Sequence, residues 1–451
     1  MSVSKARRRL GSVLITWLIF LTAALPTSAA EPATFGSPSA TSTYGQRIAF
    51  SQPATLDGRP KRVEILVEFP SAPGPQSIEV PNEAAGSTTL RYELPVASGS
   101  ILPNTRLTAR WRVTAPDGAA SVGPAASVTY EDTRFDWKTR SGNLVRIHWY
   151  EGTEAFGERA LAIGERAVKQ TSELLGVTEK DPIDFFVYGD KDAFQDVLGP
   201  ASRENVGGQA NAEIRTMFAL IEPNEIDQPW VDTVVPHELT HLVFNTAADN
   251  PYHFPPRWLN EGVAVYLSEG YAGTYRGAVE DAARGGSLIP LEGLTGQFPT
   301  TRDRFLLAYG ESVSAVDYLI RKHGRDALVS LIRSYSRGLT DDEAFTAAIG
   351  SDVAAFDEAW RKDLHAKEPI VYGPKPAPAG PIPSGWTTTG QSGNQGGEPG
   401  PSGVAAAPGA PTTPPAQNQA TVLAIALTVL AVAGVLVVGA IVVRRRAIRE
   451  P

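Results

Sequence analysis

Two histidines separated by three residues, His237-Glu238-Leu239-Thr240-His241, constrain this chain more than any other stretch. In a helix, positions i and i+4 lie on one face, one turn apart. Two imidazoles at that spacing can hold one zinc ion, and the glutamate beside the first then reaches a water on that ion. Val231, Val235, Leu239, Leu242 and Val243 fall on the side away from the histidines, so the helix can bury one face and turn the imidazoles into a cleft. Alone, the pentapeptide arises by chance in about one chain of this length in a hundred. A solvated helix face bearing two histidines is the plain alternative.

Trp258-Leu259-Asn260-Glu261-Gly262 changes that balance. Catalytic zinc takes three protein groups and keeps a fourth position for water. Glu261 follows His241 after nineteen residues, 242 to 260. Asn250, Pro251, Pro255 and Pro256 make a loop in that gap, which lets a second helix, about Arg257 to Ser268, turn back against the first. Trp258, Leu259, Val263, Ala264, Val265, Tyr266 and Leu267 make that helix apolar nearly all round, hence buried. A carboxylate inside it needs a partner: a zinc ion or, failing that, an Arg or Lys. The chain has no cysteine, which excludes a disulfide framework, a thiolate nucleophile and a Cys-ligated metal. Its net charge of −8 speaks against nucleic acid as a partner, since phosphate-backbone binding needs a cationic surface.

The two ends read as membrane-directed. Lys5, Arg7, Arg8 and Arg9, an apolar stretch from Leu10 to Leu25, and Ser28-Ala29-Ala30 form a secretory signal over 1–30. Thr421 to Val443 is uncharged, and as a helix is roughly 34 Å long, enough to span a bilayer. Arg444, Arg445 and Arg446 follow, which favours a cytoplasmic tail over 444–451. Residues 373–420 are Pro, Gly, Ser, Thr, Ala and Gln with few large apolar side chains, a disordered stalk. The expected placement is therefore the cell membrane, single-pass, with the folded part extracellular.

Between the ends, residues 33–131 alternate apolar and polar side chains in short runs such as Arg62–Phe69, Thr88–Leu94 and Arg106–Thr114, broken by Asp57-Gly58 and Pro116-Asp117-Gly118. That rhythm predicts an all-β sandwich, immunoglobulin-like or fibronectin-like, serving as spacer or docking module. The region 143–372 predicts an α+β domain: a strand over Leu144–Tyr150, a helix over Glu154–Leu175 ending at Gly176, a strand over Ile183–Tyr188, an edge strand over Asn211–Ile221, and mainly helix from Pro229 to His365.

His237-Glu238-x-x-His241, then Glu261 within Trp-Leu-Asn-Glu-Gly, resembles the gluzincin clan of metallopeptidases, which includes thermolysin-like enzymes and the aminopeptidase N group. The nearest likeness is to bacterial peptidase MA-like proteins, over roughly 143 to 365, with softer matches at Gly207-Gly208-Gln209-Ala210 and Tyr309-Gly310-Glu311-Ser312. The resemblance implies a gluzincin-like metallopeptidase domain with Zn2+ held by His237, His241 and Glu261. It implies hydrolysis of peptide bonds in peptide or protein substrates by a zinc-activated water, with Glu238 as general base.

An oxyanion donor beyond the third ligand is frequent in the clan. Tyr309 is the candidate, placed where a helix from about Ala308 to Lys322 opens, and is otherwise a buried core tyrosine; His323 is a second choice. His148, His253 and His365 have no metal spacing.

Three departures stand out. The aminopeptidase N segment Gly-x-Met-Glu-Asn is represented by Gly207-Gly208-Gln209-Ala210-Asn211, without the glutamate that holds a substrate amine. Val265 replaces the aspartate that supports a histidine in thermolysin-like enzymes, leaving Asn260 or Glu269 for that task. Pro236 sits just before His237, where it can kink the helix or delay its start. The alternatives to a peptidase are a membrane-tethered adhesion or sensory protein with a catalytically idle zinc domain, and a zinc hydrolase of a non-peptide amide or ester. The sequence does not set an oligomeric state.

Overall fold

A computed structural model describes residues 31–368, apart from 71, 83, 200–206 and 251–252. The expected signal (1–30), stalk (373–420), span (421–443) and tail (444–451) lie outside the described residues. Among the described residues no helix is long and apolar enough to cross a membrane.

The chain divides into two compact units. The first runs to Thr41 and adds Ala49–Glu93 and Thr108–Ser127; the second takes Ser42–Ile48, Leu94–Leu107 and the chain from Val128 onward.

The N-terminal region is β-rich. Its strands are β1 (Ala33–Phe35), β2 (Ser39–Thr43), β3 (Arg47–Leu56), β4 (Arg62–Glu68), β5 (Gln76–Glu79), β6 (Gly86–Pro95), β7 (Thr105–Thr114), β8 (Ala120–Val122) and β9 (Ala126–Tyr130). They form one sheet of order β1-β3-β2, with β6 also on β3, and a second of order β5-β4-β7-β8, with β9 also on β7. Successive side chains of a strand point to opposite faces. Accordingly Ile48, Phe50, Ala54 and Leu56 are buried on β3, and Leu107, Ala109, Trp111 and Val113 on β7.

The second unit holds a mixed sheet and a helical layer. The sheet strands are β10 (Lys138–Ser141), β11 (Val145–Trp149), β12 (Ile183–Tyr188), β13 (Gly208–Asn211) and β14 (Thr216–Leu220), in spatial order β10-β11-β12-β14-β13. β11, β12 and β14 are parallel, while β10 and β13 run antiparallel to their neighbours. Parallel neighbours need a crossover, and α1 (Glu154–Leu175) supplies it between β11 and β12. Thr153 caps its start by accepting from the Phe156 N–H, and Gly176 ends it at φ 62°, a left-handed turn that glycine takes without a Cβ clash. A short α2 (Lys191–Leu198) follows β12.

The helices after Pro229 are α3 (Val231–Ala248), α4 (Arg257–Ser268), α5 (Gly273–Gly285), α6 (Arg302–His323), α7 (Arg325–Tyr335), α8 (Asp341–Ile349) and α9 (Val353–Asp363), with a 3-10 turn at Leu291–Leu294. One core joins sheet and helices through Val145, Ile147 and Phe185, Ile163 and Val168 of α1, Leu239 and Val243 of α3, Trp258 and Leu259 of α4, and Val313 and Leu319 of α6.

Two local expectations need correction. The segment Asn211–Ile221 is a hairpin rather than one edge strand. The Asn211 side chain accepts the Ile214 N–H at 3.1 Å, and Arg215 takes φ 49°; the polar residues Glu213 and Arg215 therefore belong to the turn. The sheet edge is β13, at 208–211. In α6, the helix begins at Arg302, so Tyr309 lies two turns inside it instead of at its opening. Pro236 does not delay the start of α3, which begins at Val231 and runs through it. The Thr240 hydroxyl donates to the Pro236 carbonyl at 2.8 Å.

Candidate metal centre

α3 places His237, Glu238 and His241, and α4, packed against it, brings up Glu261. The return is close because position 262 is glycine. A Cβ there would strike the backbone carbonyl of Ser312 on α6, with Val316 Cγ2 at 2.8 Å. Without that methyl, α4 lies flush on α6 and its Glu261 side is turned toward α3.

His237 Nε2 lies 3.4 Å and His241 Nε2 3.6 Å from Glu261 Oε2. One ligand atom from each of the three side chains lies within 4.8 Å of the others, and this is the one such grouping among the described residues. All three side chains are almost wholly buried, at 0%, 4% and 2% exposure for His237, His241 and Glu261. Yet His237 Nε2, His241 Nε2 and Glu261 Oε2 have no hydrogen-bond partner. Buried polar atoms are costly unless paired. Three such atoms within 4.8 Å of one another, from two imidazoles and a carboxylate, form the donor set of a divalent transition-metal site. The residues present therefore fit a zinc ion.

The neighbours orient these groups. Asn260 Oδ1 lies 3.0 Å from His241 Nδ1. An amide oxygen only accepts, so Nδ1 carries the proton and Nε2 presents its lone pair inward. Of the two residues proposed for that support, Asn260 makes the contact. Glu269 makes no hydrogen bond to His237, although its charge acts on that ring. Glu261 Oε1 accepts from Arg257 Nε at 3.2 Å, which leaves Oε2 for the histidines. The arginine partner weighed as an alternative to zinc is thus present, but it occupies only one of the two carboxylate oxygens.

Glu238 has 2% exposure. Its Oε2 accepts the Ala210 N–H of β13 at 3.1 Å, while Oε1 has no partner. One oxygen is anchored to the sheet edge and the other remains for chemistry. Close approach is possible because β13 carries Gly208, where a Cβ would sit 3.3 Å from Glu238 Cγ.

Burial and the neighbouring charges set the protonation of the cluster. Burial raises Glu238 to about 7, with Glu261 adding and His237 and the Ala210 N–H opposing. For Glu261, burial pushes upward, but His237, His241 and Arg257 outweigh it and hold the group at about 2. Burial lowers His241 to about 4, which favours the neutral imidazole a metal ligand must be; burial acts the same way on His237, but the Glu261, Glu238 and Glu269 carboxylates outweigh it and raise that ring.

Tyr309 is buried on α6 with its ring 6.4 Å from that of His237. Phe298 and Phe305 pack edge-on against it at 5.3 and 5.2 Å. The residue is thus both a core tyrosine and a neighbour of the centre. Burial first, then the Glu261 charge, raises its hydroxyl well above the ordinary value, so it remains a donor. The other histidines lie elsewhere: His148 stacks on Phe186 and meets Asp184 at 2.8 Å, His253 meets Asp341 at 3.0 Å, and His323 is the last residue of α6.

Two features of the site escaped sequence reasoning. Arg257 stands four residues before Glu261, the spacing of a helical ion pair, and that spacing is a signal that was there to use. The Ala210 N–H contact to Glu238 joins a backbone group to a side chain 28 positions away; no sequence pattern marks it.

Residues 163–366 match the Peptidase MA superfamily. No curated protein matches the chain. Solved structures that resemble it include an aminopeptidase N family protein from Idiomarina loihiensis, 10% identical, covering 74% of this chain and 76% of that one at a TM-score of 0.38. Another is the M1 zinc metallopeptidase from Deinococcus radiodurans, 14% identical, covering 78% and 97% at a TM-score of 0.33.

Proposed function

We propose that this chain, whose residues 163–366 match the Peptidase MA superfamily, is a zinc-dependent peptidase of gluzincin type acting on peptide or protein substrates. The observation that carries the reading is the convergence of three unpartnered, buried ligand atoms beside a glutamate with one unpartnered oxygen. His237, His241 and Glu261 would hold the zinc. Bound there, it supplies Lewis acidity, polarising a substrate carbonyl and making water a nucleophile at neutral pH.

The chain's own residues do the rest. Asn260 and Arg257 hold His241 and Glu261 so that the atoms needed face inward. Glu238 Oε1 takes the proton of the attacking water and returns it to the leaving amine, while Oε2 stays fixed by the Ala210 N–H. Tyr309, protonated and on the His237 side, is the donor proposed for the developing oxyanion.

The N-terminal signal over 1–30 and the apolar run 421–443 followed by arginines support a chain anchored in the cell membrane with the peptidase outside. One buried face on each N-terminal sheet supports an immunoglobulin-like or fibronectin-like sandwich acting as spacer or docking module.

The test compares the purified full-length chain with its Glu238→Gln variant for bound zinc and for cleavage of a peptide library. The reading predicts zinc in both and cleavage by the unchanged chain alone. Equal cleavage by the two would remove Glu238 as the base, and zinc in both with cleavage by neither would leave an idle scaffold.

A further inference from the structure

Arg257 is buried, with 9% exposure, and only part of its guanidinium is used. Nε donates to Glu261 Oε1 at 3.2 Å. Nη1 and Nη2 are both shut off from solvent and have no hydrogen-bond partner. Guanidinium stays charged at any pH a protein survives, so these donors cannot escape the cost of burial by losing a proton. Unpaired donors on a buried charge are among the most costly groups a fold can keep. A partner that arrives from outside accounts for them.

The position of the group says where that partner goes. The guanidinium carbon lies 4.7 Å from the Phe298 ring centroid, and Phe298 meets Tyr309 edge-on at 5.3 Å. The Arg257 charge acts on Tyr309 and on His241. One face is thus closed by an aromatic ring and one edge by Glu261. The guanidinium therefore lies next to the metal centre, between Glu261 and Phe298. The two carboxylates of the centre, Glu261 and Glu238, leave Nη1 and Nη2 unpaired, and the Glu269 carboxylate accepts instead from the Tyr275 hydroxyl at 3.4 Å. An arginine edge with two parallel N–H donors matches a carboxylate in a bidentate pair.

We propose that Arg257 determines substrate choice by pairing Nη1 and Nη2 with a carboxylate of the peptide. Such a carboxylate comes either from the free C-terminus or from an acidic side chain near the scissile bond. The proposal rests on the peptidase reading above, and adds that the peptide must carry an anion within a few ångströms of the reacting carbonyl.

The experiment reads binding as well as turnover. Full-length zinc-loaded Glu238→Gln protein is titrated calorimetrically with peptides that differ in one group: free C-terminus against C-terminal amide, and Glu against Gln at each position of the peptide. At least one acid form binds about tenfold or more tighter than its amide, the size expected of charge-assisted hydrogen bonds. Arg257→Met in the same background, kept at a zinc concentration that saturates its weakened site and with bound zinc measured, brings the two forms within about twofold of each other. The free-C-terminus and side-chain arms identify which source supplies the carboxylate.

Equal binding of every acid and amide pair, or binding of none, overturns the proposal without any change at Arg257, so a misfolded variant cannot rescue it. A preference that survives Arg257→Met overturns it too. Cleavage of acid and amide peptides at equal rates by the unchanged chain, abolished by Glu238→Gln, leaves the peptidase reading standing and removes this one.

Discussion

Gly262→Ala is the substitution that bears most directly on how the helices present Glu261. The added methyl would overlap the Ser312 carbonyl group and approach Val316 Cγ2 to 2.8 Å. Carbon atoms pack at about 3.5–4.0 Å, and a backbone carbonyl in the middle of α6 cannot rotate aside as a flexible side chain can. The two helices must separate by something on the order of 0.5–1 Å to restore ordinary contact. Alanine in place of glycine favours a helix by about 1 kcal/mol, whereas overpacking costs about 1–3 kcal/mol. With backbone as the obstacle the upper end applies, and the net loss is about 2 kcal/mol.

The same displacement moves Glu261 Oε2 relative to His237 and His241, now 3.4 and 3.6 Å away. Metal–ligand distances tolerate only about 0.2 Å, so zinc affinity falls by about tenfold or more. Calorimetry of the metal-free protein and a competitive zinc titration of the same preparation measure the two effects separately. Gly277→Ala serves as the control, since a Cβ there meets nothing within 4 Å; it leaves both quantities unchanged or raises stability slightly. Undiminished zinc affinity in Gly262→Ala would refute the argument that α4–α6 contact sets the position of Glu261, whatever happens to the melting temperature.

Other expectations follow from single contacts. Asn260→Ala removes the acceptor of His241 Nδ1 and weakens zinc binding about 10–100-fold, while Asn260→Asp, which keeps an acceptor, largely restores it; a competition assay decides. Chelation of the metal lowers the melting temperature, because zinc bound only by the folded state adds about 4 kcal/mol at a thousandfold excess over its Kd; an unchanged Tm would mean the three side chains hold no ion. Hydrogen bonding from Arg112 outweighs burial and, with Ser77 and Arg62, lowers Glu64 from 4.5 to about 2. A carboxylate held below its unfolded value adds stability above pH about 4.5 that disappears as pH falls towards 2. The difference between the unchanged chain and Glu64→Gln in urea unfolding should therefore shrink over that window, and a difference independent of pH would contradict the assignment.

The triad was legible because its geometry is local. Four residues on α3 fix the two imidazoles relative to each other, and a short proline-containing loop leaves α4 little choice but to fold back. The boundaries of α1, β12 and α4 were legible for a related reason: Gly176, the alternation from Ile183 to Tyr188, and Pro256 mark them in the chain. The hairpin at β13 and β14 was not. Its turn is built from Asn211 hydrogen bonding and a left-handed Arg215, with no glycine to announce it, and Glu213 and Arg215 imitate the polar side of an edge strand. The start of α6 was missed because Thr301 forms no side-chain cap and the polar run Arg302–Arg304 resembles loop. The half-used guanidinium of Arg257 and the Ala210 anchor of Glu238 depend on tertiary approach, which composition and spacing do not encode.

The most direct measurement is a crystal of the full-length chain grown with zinc, with anomalous scattering recorded on either side of the zinc edge. The account predicts one peak at about 2.0–2.2 Å from His237 Nε2, His241 Nε2 and Glu261 Oε2. A peak elsewhere, or one that leaves Glu261 bonded to Arg257 alone, would contradict it.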